Sequence, residues 1–326
     1  MINLSFFYGP FRLGLACLAI SLTSLSLPAR AEEWPSKPIH VIVPYTPGGS
    51  TDVVARIVMQ KLSERLGQSI LIENKPGANS IIGVSQAARA PNDGYHFVTI
   101  LPAYSINFEL YDLNYKVSDF VPVAHIADLP LFLFVAKDIP VKNVAELVEY
   151  AKENPLSYGS SGAGSSAHMT GAYFGQITGL DLLHVPYRGS APILSDLLSN
   201  RISMVFDPIL VPMPHVKEGK LKVLGVASQA RYITEPEVPT LLEEGYDGFV
   251  MNSWTSLLAP AGTPEHIIER VSKEISEIVE EPDVVQRFHQ AGFVPVGGSP
   301  TDLSALLARD GELYQEIIKE ADINLR

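Results

Sequence analysis

Two segments concentrate residue types that can hold a small anion through neutral donors. The first is Pro44-Tyr45-Thr46-Pro47-Gly48-Gly49-Ser50-Thr51-Asp52, and the second is Gly159-Ser160-Ser161-Gly162-Ala163-Gly164-Ser165-Ser166-Ala167-His168. Glycine lets backbone N–H groups come close to a ligand, and a helix that starts there presents unpaired donors and a favourable dipole. Serine hydroxyls and amides together can hold a carboxylate with no fixed positive charge. Each segment alone also has a plainer reading: a tight turn with Ser50 capping a helix, or a surface loop with His168 satisfied at a helix end. Recurrence of one arrangement in both halves of the chain favours a site.

Other chemistries fail on spacing. There is no G-x-x-x-x-G-K-[ST] run, and Gly162-Ala163-Gly164 is followed by Ala167 where a dinucleotide fingerprint places its third glycine. Counting from Gly159 through Ser161 puts Ala163 where a nucleophile elbow needs glycine. Ser165 or Ser166 with His168 is the one local pairing a hydrolase could use, and it lacks an identified acid partner. The eight histidines include no His-x-x-x-His pair, and Cys17 is the single cysteine, which excludes a thiolate cluster. No catalytic residue, metal or cofactor is therefore assigned, and an enzyme is not expected.

The elements that would position these loops alternate. Ile39–Val43 reads as a strand and Asp52–Leu66 as a helix ended by Gly67; Ser69–Glu73 is a second strand, a turn at Lys75–Asn79 opens a helix through Ala90, and Tyr95–Leu101 is a third strand. The plan restarts with a strand at Leu131–Ala136, a helix at Val144–Asn154 and a strand at Ser157–Ser160. The second loop then opens a helix through Thr178, followed by Leu182–Pro186, a helix at Pro192–Ser199, and strands at Ile202–Phe206 and Lys222–Ala227. Helices at Pro264–Glu280 and Thr301–Ala321 close the chain. The expected fold is α/β, with two units that each carry a mostly parallel sheet flanked by helices.

With 46% hydrophobic and 18% charged residues among 326, the chain can bury a large core, which excludes disorder and coiled coil. A formal net charge of −12 argues against a nucleic-acid surface or a basic membrane patch. Residues 1–31 carry no acidic side chain, place Arg12 before an apolar run and end Ala29-Arg30-Ala31, the pattern of a secretory signal peptide cleaved after Ala31. Cys17 inside that run is a poor lipid-attachment site, since Gly14-Leu15-Ala16 precedes it. Cleavage removes Arg12 and Arg30 and takes the net charge from −12 to −14, with no cysteine left. The bacterial periplasm is the expected address.

Together these residues resemble the periplasmic substrate-binding proteins of tripartite tricarboxylate transporters, also called Bug receptors. The matching segments are Trp34-Pro35 through Pro38, Val43–Asp52 with Ala55-Arg56, Glu73–Ala78, Pro91–Tyr95, Gly159–His168, His184–Gly189, Phe206-Asp207 and Ala259–Pro264. The resemblance implies a two-lobed Venus-flytrap receptor, with residues 32–128 and 254–326 forming one lobe and residues 129–253 the other. It also implies a monomer that holds a small mono- or dicarboxylate in the interlobe cleft and has a membrane permease as its partner. Carried over residue by residue, the ligand contacts are Tyr45, Thr46, Gly48, Gly49 and Ser50 from one lobe and Ser160, Ser165, Ser166 and His168 from the other. The same resemblance implies that Ala103 and Asp207 occupy further cleft-facing positions.

The chain departs from that family in having Asn79-Ser80 where relatives often carry Gly-Gly, so Asn79 either touches the ligand or caps the next helix. Arg188 either contacts the ligand or pairs with a surface acid, and Asp207 either suits an ammonium or hydroxyl or satisfies its own turn. Tyr45 and Tyr104 could stack on a ring, which leaves an aromatic acid open beside aliphatic ones. An exported Ser/His hydrolase and a ligand sensor for a signalling system are the competing functions.

Overall fold

The computed structural model describes residues 34–187 and 190–324; the expected signal peptide, Cys17 and Arg188 lie outside the described residues. Two sheets organise the chain. The first has the order β11 (Val294–Gly298), β4 (Phe120–Leu129), β10 (Ser253–Pro260), β3 (His96–Ile100), β1 (Ile39–Val43), β2 (Ile70–Asn74). The second has the order β7 (Leu183–Pro186), β6 (Ser157–Ser160), β8 (Met204–Pro208), β5 (Leu131–Ala136), β9 (Leu221–Val226). Helices α1 (Ser50–Leu66), α2 (Ile81–Ala87), α3 (Ala103–Leu110), α8 (Glu265–Val279) and α9 (Pro282–Gln290) belong with the first sheet. Helices α4 (Val144–Glu153), α5 (Ser166–Thr178), α6 (Ser190–Leu198) and α7 (Met213–Lys217) belong with the second.

This is the expected α/β architecture of two sheet-centred lobes, but the sheets are mixed rather than mostly parallel. Parallel pairing joins β1 to β2 and β3, and β6 to β7 and β8; β10 runs antiparallel to β3 and β4, and β5 antiparallel to β8 and β9. Of the antiparallel strands, β5 and β10 are those that receive the chain from the other sheet, while β11 runs antiparallel to β4 within the first sheet. Leu129 ends β4 and Leu131 begins β5, so Pro130 alone separates the two sheets at the first crossing, and β10 brings the chain back after residues 227–252. A strand entering from another sheet has no crossover helix to set it parallel.

Helix α1 shows how the sequence directs packing. Val54, Val58 and Leu62 recur every fourth residue, are buried, and join Val41 and Phe97 in one core with Ile267, Val271 and Ile275 of α8. Burying each of these side chains contributes about 2 kcal/mol. The helix stops at Gly67, whose φ of 67° is the left-handed C-terminal conformation open to glycine.

The final helix, α10 (Pro300–Glu320), starts on a capping box of Ser299 and Asp302 and spans both cores. Its Leu303 and Leu306 pack with Ile42, Val98 and Trp254 of the first sheet. Its Tyr314 and Ile317 pack with Leu131, Met169 and Phe174 of the second.

Candidate functional site

Pro44 ends β1, and the chain turns through Thr46–Gly49, closed by the Gly49 N–H donating to the Thr46 carbonyl at 3.2 Å. Gly48 takes φ 78°, and its N–H donates to the Asp52 carboxylate at 2.9 Å. Asp52 is buried and also accepts from Arg56 Nε at 2.8 Å and Asn74 Nδ2 at 2.9 Å. Burial pushes its carboxyl up, but Arg56, the Gly48 N–H and Asn74 outweigh that and hold it below the usual range. Arg56 is thereby paired within the fold. Gly49, not Ser50, occupies the N-cap of α1 and makes no side-chain cap, so Ser50 as helix cap is not what forms; it is the first helical residue, and its side chain lies outside the described residues. The N–H groups of that first turn have no carbonyl within the helix to donate to, and these are the donors the loop can offer an anion.

Thr46 is exposed beside them, while Tyr45 is half-buried with its hydroxyl inside. Burial pushes the Tyr45 phenol far up; Ser80 and Leu101 are within electrostatic reach, yet neither the Tyr45 nor the Ser80 hydroxyl closes a hydrogen bond. Tyr104 does not offer a ring to a ligand. It is 2% exposed and packed among Phe108, Tyr115 and Phe120, with ring centroids 5.3 to 6.3 Å away, because α3 turns that face into the core. Ala103, the first residue of α3, is buried as well.

The turn before α2 holds four successive residues at positive φ: Gly77 at 135°, Ala78 at 46°, Asn79 at 49° and Ser80 at 75°. Each non-glycine residue in that region costs about 1 kcal/mol, somewhat less for asparagine. Asn79 does not cap α2, whose N-cap is Ser80. Its Nδ2 donates to Asn107 Oδ1 at 2.9 Å and to the Gly164 carbonyl at 3.1 Å, while Asn107 Nδ2 donates to the Asn79 carbonyl at 2.8 Å. The Gly164 contact joins the loop after β2 of the first sheet to the loop after β6 of the second.

In that second loop Ser165 is the N-cap of α5, its hydroxyl accepting the His168 N–H at 3.2 Å. The Ser166 hydroxyl donates to Ser253 Oγ of β10 at 3.2 Å, a second link between the sheets. Ser160 is buried and turned into its own lobe, where its hydroxyl lies 2.6 Å from His184 Nε2 and also meets both Gly162 backbone groups. The His168 ring is 5% exposed, accepts the Gly164 N–H on Nδ1 at 3.1 Å and stacks on His184, with centroids 3.8 Å apart. Burial pushes His168 down to about 3, aided by the neighbouring imidazole, and burial pushes His184 down to about 4. Both rings are neutral at ordinary pH. Asp207 is buried in β8 opposite Phe132 of β5.

The geometry brings Asn79 to the second loop and Ser166 to β10. It directs Ser160 and His168 into the packing that supports that loop. A Ser/His nucleophile is not set up at Ser165 or Ser166, since His168 Nδ1 is occupied by Gly164 and its ring face by His184. Sequence reasoning assigned no role to Asn107, His184 or Ser253. The signal for Asn107 is a lone amide between Ile106 and Leu110 in an otherwise apolar helix face, whereas the His168–His184 contact joins α5 to β7 and has no local signature. A separate groove of about 870 Å³, lined by His40, Glu73, His96 and Arg89 beside α2, contains none of the expected ligand contacts.

Residues 54–323 match the family model described as the tripartite tricarboxylate transporter family receptor. The UPF0065 protein in the tcbD-tcbE intergenic region of Pseudomonas sp. (strain P51) is 37% identical over 316 residues, covering 95% of this chain and 94% of that protein. The structure of R. palustris Rpa4515 with adipate superimposes with a TM-score of 0.82 at 33% identity, covering 89% of this chain and 99% of that one. MatC (Rpa3494) from Rhodopseudomonas palustris with bound malate gives 0.77 at 29% identity, covering 87% and 99%. With two sheet-centred lobes, a glycine- and serine-rich loop from each, and this match along nearly its whole described length, the chain belongs to the tripartite tricarboxylate transporter receptor family.

Proposed function

We propose that this protein is an exported receptor that captures a small mono- or dicarboxylate between its two lobes and delivers it to a tripartite tricarboxylate-type membrane permease. In this reading residues 1–31 direct it to the periplasm, residues 32–128 with 254–326 form one lobe, and residues 129–253 form the other. One observation carries the proposal: two loops of like composition, each following a parallel strand and opening a helix, lie one on each sheet, and the second is tied to the turn after β2 of the first sheet by the Asn79–Gly164 bond. Helix N-terminal amides of α1 and α5 and the Thr46 hydroxyl supply neutral donors, and Tyr45, Gly48, Gly49, Ser50, Ala103, Ser160, Ser165, Ser166, His168 and Asp207 shape or support the site. Two relatives hold adipate and malate, which supports an aliphatic acid. A ligand that touches both lobes binds the closed form better than the open one, and that difference drives closure.

Thermal-shift measurement with a panel of mono- and dicarboxylates tests this. A subset is expected to raise Tm in a concentration-dependent way, with no release of product from matching methyl esters. Ester hydrolysis abolished by Ser166→Ala would replace the receptor reading with a hydrolase.

A further inference from the structure

The turn at residues 77–80 and the loop at 162–165 fit each other more closely than two parts of a freely opening cleft require. Gly164 is held by both of its backbone polar groups. Its N–H goes to His168 Nδ1 of its own lobe, and its carbonyl accepts from Asn79 Nδ2 of the other. A Cβ at Gly164 would stand 3.0 Å from Asn79 Nδ2, 3.2 Å from Leu110 Cδ1 and 3.5 Å from Ile106 Cγ2, the last two on α3, which also packs into the core of the second sheet. Its φ of 77° also suits glycine. The Tyr111 hydroxyl donates to the adjacent Ala163 carbonyl at 3.4 Å.

On the other side, Asn79 sits in three successive non-glycine residues at positive φ, a conformation that persists where its surroundings over-determine it. Asn107, which is fully buried, supplies that constraint by bonding both the side chain and the carbonyl of Asn79. Contacts within the protein thus aim the amide at Gly164.

We propose that Asn79 is an interlobe latch: Asn107 pre-orients its amide, and its bond to the Gly164 carbonyl favours the closed pairing of the lobes without ligand and positions the second loop for a bound acid. The positioning role rests on the carboxylate-receptor reading; the latch itself does not. Asparagine at 79 then sets how much of the closing free energy the ligand must supply.

The test is small-angle X-ray scattering of the mature chain, exhaustively dialysed to remove ligand, compared with Asn79→Gly. Glycine keeps the left-handed backbone and removes only the amide, so the variant is expected to fold, which its melting curve checks. The expected result is a wild-type profile matching the two lobes together and a larger radius of gyration for Asn79→Gly. For any carboxylate that raises the wild-type Tm, Asn79→Gly is expected to weaken Kd about two- to tenfold. Superimposable ligand-free profiles for the two proteins would overturn the latch, whether or not a carboxylate binds. Binding failure in both proteins with different ligand-free profiles would instead overturn the carboxylate reading and leave the latch standing.

Discussion

The imidazoles of His168 and His184 lie face to face, 3.8 Å between centroids and 15° between planes, with Tyr158 stacked 5.0 Å from His184. A pair this close cannot carry two charges, and burial already disfavours one. The lobe that contributes the second loop is thus built on two neutral rings, with Gly164 hung from one of them.

Acid is expected to loosen that support. Both histidines titrate lower when folded, about 3 and about 4, than in the unfolded chain near 6.5, so between those values the unfolded state binds more protons. Their contribution to stability is complete above about pH 7 and is lost as pH falls through 6.5 towards 4, by at most about 1.4 kcal/mol per pH unit for each group. Tm measured from pH 7.5 to 4.5 should fall, and His184→Phe should fall less steeply. Equal slopes would show that the pair does not titrate in this way.

Two helical glycines should respond oppositely to alanine. At Gly171 of α5 a Cβ would lie 2.2 Å from Tyr158 Cε2, in the ring that stacks on His184, so Gly171→Ala is expected to cost about 1–3 kcal/mol. At Gly311 of α10 nothing lies within 4 Å of the added carbon, so Gly311→Ala is expected to stabilise by about 1 kcal/mol. Urea unfolding of both variants checks the pair, and a destabilised Gly311→Ala would contradict the packing described for α10.

The Trp254 indole N–H donates to Asp310 at 2.6 Å, and both residues are nearly fully buried where α10 crosses from one core to the other. Asp310→Ala leaves that donor unpaired and is expected to cost about 2 kcal/mol, whereas Asp310→Asn keeps an acceptor and should cost less. Denaturant titration followed by tryptophan fluorescence distinguishes them. Equal losses would mean that the hydrogen bond contributes little.

Much of this architecture was legible where one physical cause dominates. The apolar run Leu131–Ala136 is β5 to the residue, and α1 ends at Gly67 as its composition requires. Strands β4 and β10 were not read, because buried His125, Ser253, Thr255 and Ser256 interrupt the apolar pattern and Pro122 suggests a break. Helix α3 was missed for a related reason: six of its eight residues are buried, so no polar face marks its period. Within the site, the loops were visible as glycine and serine clusters. The inward turn of Ser160 depends on His184, which β7 brings alongside, and the Asn79–Gly164 bond depends on how two sheets meet. Contacts of that range leave no local pattern in a single chain.

Binding should be nearly insensitive to salt. Arg56, one turn of α1 beyond Asp52, is paired with it, so in the proposed site neutral amides and hydroxyls would face the ligand. Raising salt from about 0.05 M to about 0.5 M is expected to change Kd for a carboxylate less than about threefold. A tenfold loss would point to a lysine or arginine in direct contact.

Carboxylate capture is tested by calorimetric titration of the mature chain with small mono- and dicarboxylates, followed by the amide of whichever binds best. One saturable site per chain is expected for the acid and loss of binding for the amide, because the proposed site holds a carboxylate by the helix-terminal donors of α1 and α5. Equal affinity for acid and amide, or no heat from any acid in the series, would contradict it.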